Sequence, residues 1–292
     1  NSGNNKLAMT ILKDRTFIVL IILLIFFSIT ADNFMSAGAL LTVAKHVALY
    51  GILAIGMTYV IITGGIDLSV GSVAGLAGMI AGGLIQEGLT LKMFGVTLYF
   101  SVPMIVLITV LLGALMGMIN GLVITKFNVA PFIATLGTMY IWRGFANIRS
   151  NGATFSELAG SEGLGNTGFE VFGRNLAGTA IPCGVLILAL IAVAAGLVLK
   201  KTPFGWHVLS IGGNEKASKL SGIKVDRVKI WVYAFSGFCS AVVGIIATSQ
   251  LVSATPKTGE SWEMNAIAAS YLAELPWQAV SARLAEPSSV RL

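Results

Sequence analysis

An all-α, polytopic transmembrane helical bundle is the fold class to expect, and three observations carry it. Of the 292 residues, 55% are hydrophobic and only 11% charged, whereas an ordinary soluble domain is about a quarter charged. Long apolar runs recur along the chain, each near the roughly 20 residues that a helix needs to cross a hydrocarbon core. The 34 glycines fall largely within or between those runs, where small residues let helices approach closely in lipid.

The runs predict seven spans, at about 13–31, 47–64, 68–86, 99–125, 130–148, 179–199 and 229–250. Lys6, Lys13 and Arg15 precede the first and place the N-terminus in the cytoplasm, because short loops rich in Lys and Arg stay inside. No Ala-x-Ala spacing follows that span, so it is expected to be an anchor rather than a cleaved leader. Six crossings then bring the chain back to the cytoplasm at Lys200. There the loop 200–229 carries seven Lys/Arg against Glu215 and Asp226 alone, so charge and parity agree. Lys126 falls on the same inner side. The opposite loop, 149–178, is nearly charge-balanced and rich in Gly, Ser, Asn and Thr, and is expected to be external with little regular structure.

The basic loop is too patterned to be a linker. Gly212 and Gly213 are expected to break the chain, Asn214 to cap a short helix, Glu215 to occupy its first turn and Gly222 to end it. A membrane protein that builds a capped helix on its cytoplasmic face presents a surface to a soluble partner.

Polar residues inside apolar runs are the other candidates. Asp67 lies in a tight Thr63–Ser72 stretch with Gly64, Gly65 and Ser69. The favoured reading is a cap at the interface for a helix starting near Ser69. The functional reading is a re-entrant element on a transport route, because carboxylates in membranes are costly and usually purposeful. Asn120 and Asn147 either line a hydrophilic path or bond across helices. Arg143 either snorkels outward beside Tyr140 and Trp142 or pairs inside the bundle. The small-xxx-small pairs Gly71/Gly75, Gly78/Gly82, Gly113/Gly117/Gly121 and Gly237/Ala241 read as packing.

Several classes fall away. Cys183 and Cys239 sit in apolar runs as small hydrophobes, and His46 and His207 fit no metal or catalytic spacing. There is no Gly-x-Ser-x-Gly, HExxH or Walker A text. The chain is expected to be no enzyme and to need no cofactor, and any ATP-driven work belongs to a partner. The formal charge of +6 serves topology and signals no nucleic acid. A secondary transporter or channel without an ATPase is the rival class. It is disfavoured by the basic loop and by spans nearly free of the charges that proton-coupled carriers use.

Four blocks carry a resemblance: Gly56–Gly78 (GMTYVIITGGIDLSVGSVAGLAG), Asn120–Ala146, Thr202–Lys229 and Glu263–Ala269 (EMNAIAA). Together they resemble the permeases of ribose-type monosaccharide ABC importers, bacterial inner-membrane proteins. The resemblance implies a homodimeric pore in the lipid bilayer, a cytoplasmic ATP-binding subunit and a periplasmic sugar-binding protein. It also implies that Gly212, Gly213, Asn214, Glu215, Ala217, Ser221 and Gly222 form the coupling element. Gly64, Gly65, Asp67, Ser69 and Asn120 are the candidate pore or gating residues.

The resemblance stops after Ala269. Relatives continue with glycine-rich text such as VVLGGTSMAGGLGTVGGTIIGAF and further spans. A codon choice for that text, with its first base deleted, encodes Ser270 through Arg291 and permits Leu292. Residues 1–269 are thus expected to be the permease domain, incomplete for lack of the later spans. Residues 270–292 are expected to be an aberrant, out-of-frame tail, and the chain to be inactive as it stands.

Overall fold

The structure, a computed structural model, describes residues 15–91, 93, 95–176 and 178–271, with side chains from Ile18 onward. It is built almost wholly of helices: α1 Arg15–Thr30, α2 Ala37–Ile62, α3 Val70–Gln86, α4 Val102–Lys126, α5 Pro131–Ser150, α6 Cys183–Lys201, α7 Pro203–Gly213, α8 Glu215–Leu220 and α9 Val225–Leu251. A final helix, α10, occupies 262–271. The described residues up to Lys45 and those from His46 onward form two compact units. In the first, α1 is followed by a turn in which the Ser36 hydroxyl accepts from the Ala39 amide at the start of α2.

Each of the seven expected spans coincides with a helix. By length and composition, four of the described helices suffice to cross a membrane: α2, α4, α6 and α9. The apolar stretches Ile18–Thr30 and Val70–Gln86 are shorter. α2 begins at Ala37, ten residues before the expected span, and takes Lys45 and His46 within it. Ahead of α4, a two-stranded antiparallel hairpin, which the apolar runs do not predict, pairs Leu89–Leu91 with Val96–Leu98.

In the second unit α9 is the axis. α4 packs antiparallel to it through glycine. A side chain at Gly113 would collide with Ala241, at Gly117 with the Tyr233 carbonyl, and at Gly121 with Ile230. On α2, Gly56 rests against Ser236 and Cys239. α3 rises beside the far half of α9, where Gly244 meets the Ala74 carbonyl and Gly78 meets Thr248. Gly78, Gly113, Gly117, Gly121 and Gly237 therefore do pack helix against helix, as expected, while Gly71, Gly75 and Gly82 face non-helical backbone or loop side chains.

The two loops lie at opposite ends of α9. At the Leu251 end, 149–178 forms a packed cap rather than a loose loop. It contains two 3₁₀ turns, Glu162–Leu164 and Phe169–Phe172, and buries Phe155, Leu158 and Phe169. Asn166 anchors the cap to the end of α3 by donating to the Ile85 carbonyl at 2.8 Å. At the Val225 end, 200–229 proves to be mostly helical.

Ser270 and Tyr271, the first residues of the expected aberrant tail, continue α10. The Ser270 hydroxyl donates to the Ile267 carbonyl at 2.8 Å. The remainder of that tail, 272–292, lies outside the described residues.

Candidate functional site

The chain breaks between α2 and α3 inside the bundle. Gly64, in the left-handed region at φ 76, closes α2: its amide donates to Ile61 and that of Gly65 to Val60. Gly65 has no room for a side chain, since the Tyr233 hydroxyl fills the space. Asp67 follows and is 1% exposed. Its Oδ1 accepts from the Ser69 amide at 3.0 Å and the Ser69 hydroxyl at 2.7 Å. Its Oδ2 accepts from the Ser236 hydroxyl of α9 at 2.8 Å. Asn120 of α4 donates to Ser69 Oγ at 2.7 Å. Three segments thus meet on one buried carboxylate, with no cation within ion-pair distance among the described residues.

One expectation is refined here. Asp67 does accept from the amide at the start of α3, as expected, but Ser69 is the N-cap residue and Asp67 acts two residues earlier. Ser236 is the twelfth residue of the 27-residue α9, so Asp67 lies about 17 Å in from that helix's start at 1.5 Å per residue. Asn120 makes a bond to another segment; among the described residues the Asn147 side chain bonds only to the Arg143 carbonyl of its own helix, at 2.9 Å. Two polar atoms at the centre have no partner among the described residues: Asn120 Oδ1 and the Tyr233 hydroxyl.

A second irregular segment lies on the other side of α3. After α9 the chain turns at Val252, pairs Ala254 with Phe155, and runs back along α3. Gly82 faces Ala254, Gly75 faces the Thr258 carbonyl and Gly71 faces the Gly259 carbonyl. Arg143 of α5 reaches into this strap. Its Nη1 donates to the carbonyls of Pro256 at 2.5 Å and Thr258 at 2.6 Å. The bundle interior holds Arg143, so the snorkelling reading is corrected. Its partners are backbone carbonyls, which carry no residue-type signal for sequence reading to find.

The third arrangement is the elbow at the Val225 end. Thr202 caps α7, accepting from the Gly205 amide at 3.2 Å. Gly212 and Gly213 do not break the chain. Both are helical, and the break falls at Asn214 (φ −159, ψ 103). Gly212 is small for another reason: the Ile62 carbonyl at the end of α2 lies against it. Asn214 Oδ1 accepts from the Ala217 amide at 2.9 Å and caps α8, as expected. Glu215 in the first turn binds Lys229 of α9 at 2.8 Å. Gly222, at φ 86, ends the helix, and its amide donates to Lys219. Ala217, Ser221 and Gly222 therefore sit on one exposed turn. Lys126, Lys200, Lys201, Lys219, Lys224 and Arg227 collect at this end, opposite the Leu251 cap.

An apolar multi-helix chain with a basic elbow at one end and interrupted helices at its centre has the organisation of a membrane transport subunit. The family described as branched-chain amino acid transport system / permease component matches residues 39–285. The chain belongs to this permease family. The match runs past Ala269, where the resemblance in sequence had stopped.

Among similar proteins, the ribose import permease RbsC of Bacillus subtilis is 42% identical over 262 residues, covering 88% of this chain and 74% of that one. RbsC of Haemophilus influenzae is 37% identical over 272 residues, covering 92% and 78%. The galactose/methyl galactoside import permease MglC of Escherichia coli K12 is 35% identical over 271 residues, covering 91% and 80%. No solved structure matches. The resemblance to ribose-type ABC importer permeases is thereby established, and the protein is a multi-pass membrane transport subunit.

In this permease the expected site residues separate into two groups. Gly64, Gly65, Asp67, Ser69 and Asn120 gather at the α2–α3 break, joined by Ser236 and Tyr233. Gly212, Gly213, Asn214, Glu215, Ala217, Ser221 and Gly222 gather at the elbow.

Proposed function

We propose that the protein is the membrane-spanning subunit of an ATP-driven importer of a small sugar in the bacterial inner membrane. The observation that carries this is the match to sugar-import permeases along about nine-tenths of the chain. On this reading the α7–α8 elbow lies in the cytoplasm, together with the N-terminus, and receives an ATP-binding subunit. Its exposed capped helix α8 is tied to α9 by Glu215–Lys229, and the preceding α7 rests on the end of α2 at Gly212, so movement at the elbow is passed into the bundle. ATP hydrolysis belongs to that partner. A periplasmic sugar-binding protein delivers solute to the Leu251 end, and two copies of the permease enclose the route. The Asp67 cluster holds the start of α3 in place. Residues 1–269 constitute the permease domain, and 270–292 are read as out-of-frame text.

The test is ATP-dependent uptake of radiolabelled D-ribose, D-galactose and D-fructose into vesicles that also contain ribose-type ATP-binding and sugar-binding partners. The chain as given and one with a single base restored before codon 270 are compared. ATP-driven accumulation of a sugar by the restored chain supports the reading. Equal entry without ATP supports a channel or secondary transporter instead. If the given chain is as active as the restored one, the reading of the tail is wrong.

A further inference from the structure

The strap after α9 is irregular backbone at a depth where lipid offers it nothing. Gly244, the twentieth residue of α9, meets Ala74; one turn earlier on α3, Gly71 meets Gly259. Gly259 thus lies near the level of residue 240, about 16 Å short of Leu251 along the α9 axis. With a core of about 30 Å centred on α9, that is about 10 Å inside the hydrocarbon. From Ala254 to Ser261 the chain makes only a bridge and successive turns. Non-helical backbone at such depth is tolerated only where it is buried in protein or lines a water-filled cavity.

The two faces of the strap meet those two conditions separately. One is buried: Ala254, Pro256 and Gly259 pack inward, and Arg143 grips two carbonyls. The other exposes Lys257, Glu260 and Ser261. By the same count Thr258, opposite Gly75, lies only about 4 Å inside and Lys257 nearer the edge, whereas Glu260 and Ser261 stand deeper, where a charge and a hydroxyl are unsuited to lipid. Ser261 also holds a left-handed φ of 64, a strained conformation for a non-glycine residue and one that clusters at functional sites.

We infer that the strap 255–261 lines the aqueous route through the permease, with Lys257, Glu260 and Ser261 offering hydrogen bonds to a neutral, hydroxyl-rich solute. Arg143 is its positioning residue. It holds the Pro256 and Thr258 carbonyls and thereby fixes where the three polar side chains stand. The proposal rests on the permease reading and adds residues to it.

The test uses the chain with the base before codon 270 restored, in membrane vesicles, with Cys183→Ser and Cys239→Ala, and single cysteines at Glu260, Ser261, Leu190 or Glu162. Leu190 is 72% exposed on apolar α6 and serves as the lipid control; Glu162 on the cap is the water control. A membrane-impermeant thiol reagent is expected to modify Glu260→Cys and Ser261→Cys at least roughly ten-fold faster than Leu190→Cys, because apolar surroundings suppress the reactive thiolate. D-ribose at millimolar concentration is expected to slow both. Adding Arg143→Gln is expected to change the rate at Ser261→Cys and leave Glu162→Cys unchanged, with Arg143→Lys closer to the parent.

Rates at 260 and 261 as slow as at Leu190 overturn the proposal. Disulfide-linked dimers through Ser261→Cys, without reagent access, overturn it in favour of a contact between two copies. Equal changes at Ser261→Cys and Glu162→Cys overturn the role of Arg143. ATP-driven uptake with no labelling sinks the strap assignment alone; labelling with no ATP-driven uptake sinks the importer reading alone.

Discussion

At the scale of single residues, the centre of the protein is organised by carbonyls and one carboxylate. Asp67 receives three hydrogen bonds and binds the α2–α3 turn to α9. Replacing it by Ala removes an acceptor from three buried donors and is expected to cost on the order of 3 kcal/mol, whereas Asn, of the same shape, retains most of the stability. Thermal unfolding in detergent checks this. Equal loss in both variants would show that charge rather than hydrogen bonding matters. A change in which sugar is carried, at unchanged protein level, would instead place Asp67 on the solute. The importance of this residue was legible, since a carboxylate in an apolar run calls for partners. Its partners were not, because Ser236 is one serine among several in α9 and nothing in the local pattern marks the one that faces Asp67.

At the scale of elements, local chemistry was read best where it is self-contained. The Asn214 cap, the Glu215 first turn and the Gly222 stop each depend on neighbours within a few residues, and each is formed. Asn214→Ala is expected to cost about 1 kcal/mol of helix stability, and Gly222→Ala a similar amount for its left-handed φ. Faster amide hydrogen exchange over 214–222, with no change in α4, is the expected signature; unchanged exchange there would contradict the cap. Breaking Glu215–Lys229 is expected to cost under about 1 kcal/mol, because the Glu side chain is half exposed. Gly212 was misread because glycine signals both a break and a close approach, and only the tertiary neighbour, Ile62, distinguishes them; Gly213 has open space around it, and no contact explains a glycine there. The strap was invisible for a related reason. Its hydrogen bonds go to an arginine more than a hundred residues away.

At the scale of the whole molecule, glycine spacing and charge distribution set the architecture. α4 and α9 approach through Gly113, Gly117 and Gly237, so Gly117→Val is expected to prevent a stable folded chain, by overpacking worth several times the ~1 kcal/mol of a tolerated core change. Gly137 on α5 has open space around it, and Gly137→Ala is expected to fold normally. Comparing monodisperse yield from detergent extracts separates the two, and equal yields would contradict the packing. The alternation of helices was legible from apolar runs and basic loops. The half-height start of α3 was not, since hydropathy reports that a segment is apolar and not how deep it begins.

The central claim is that the Val225 end, with its elbow, faces the cytoplasm and receives an ATP-binding subunit. Vectorial labelling tests it most directly, with Lys216→Cys at the elbow and Glu162→Cys on the cap in a cysteine-free background. A membrane-impermeant reagent is expected to reach Glu162→Cys only from outside intact cells and Lys216→Cys only in inverted vesicles. A ribose-type ATP-binding subunit is expected to protect Lys216→Cys. Labelling of both positions from one side, or of Lys216→Cys from outside, would contradict the account.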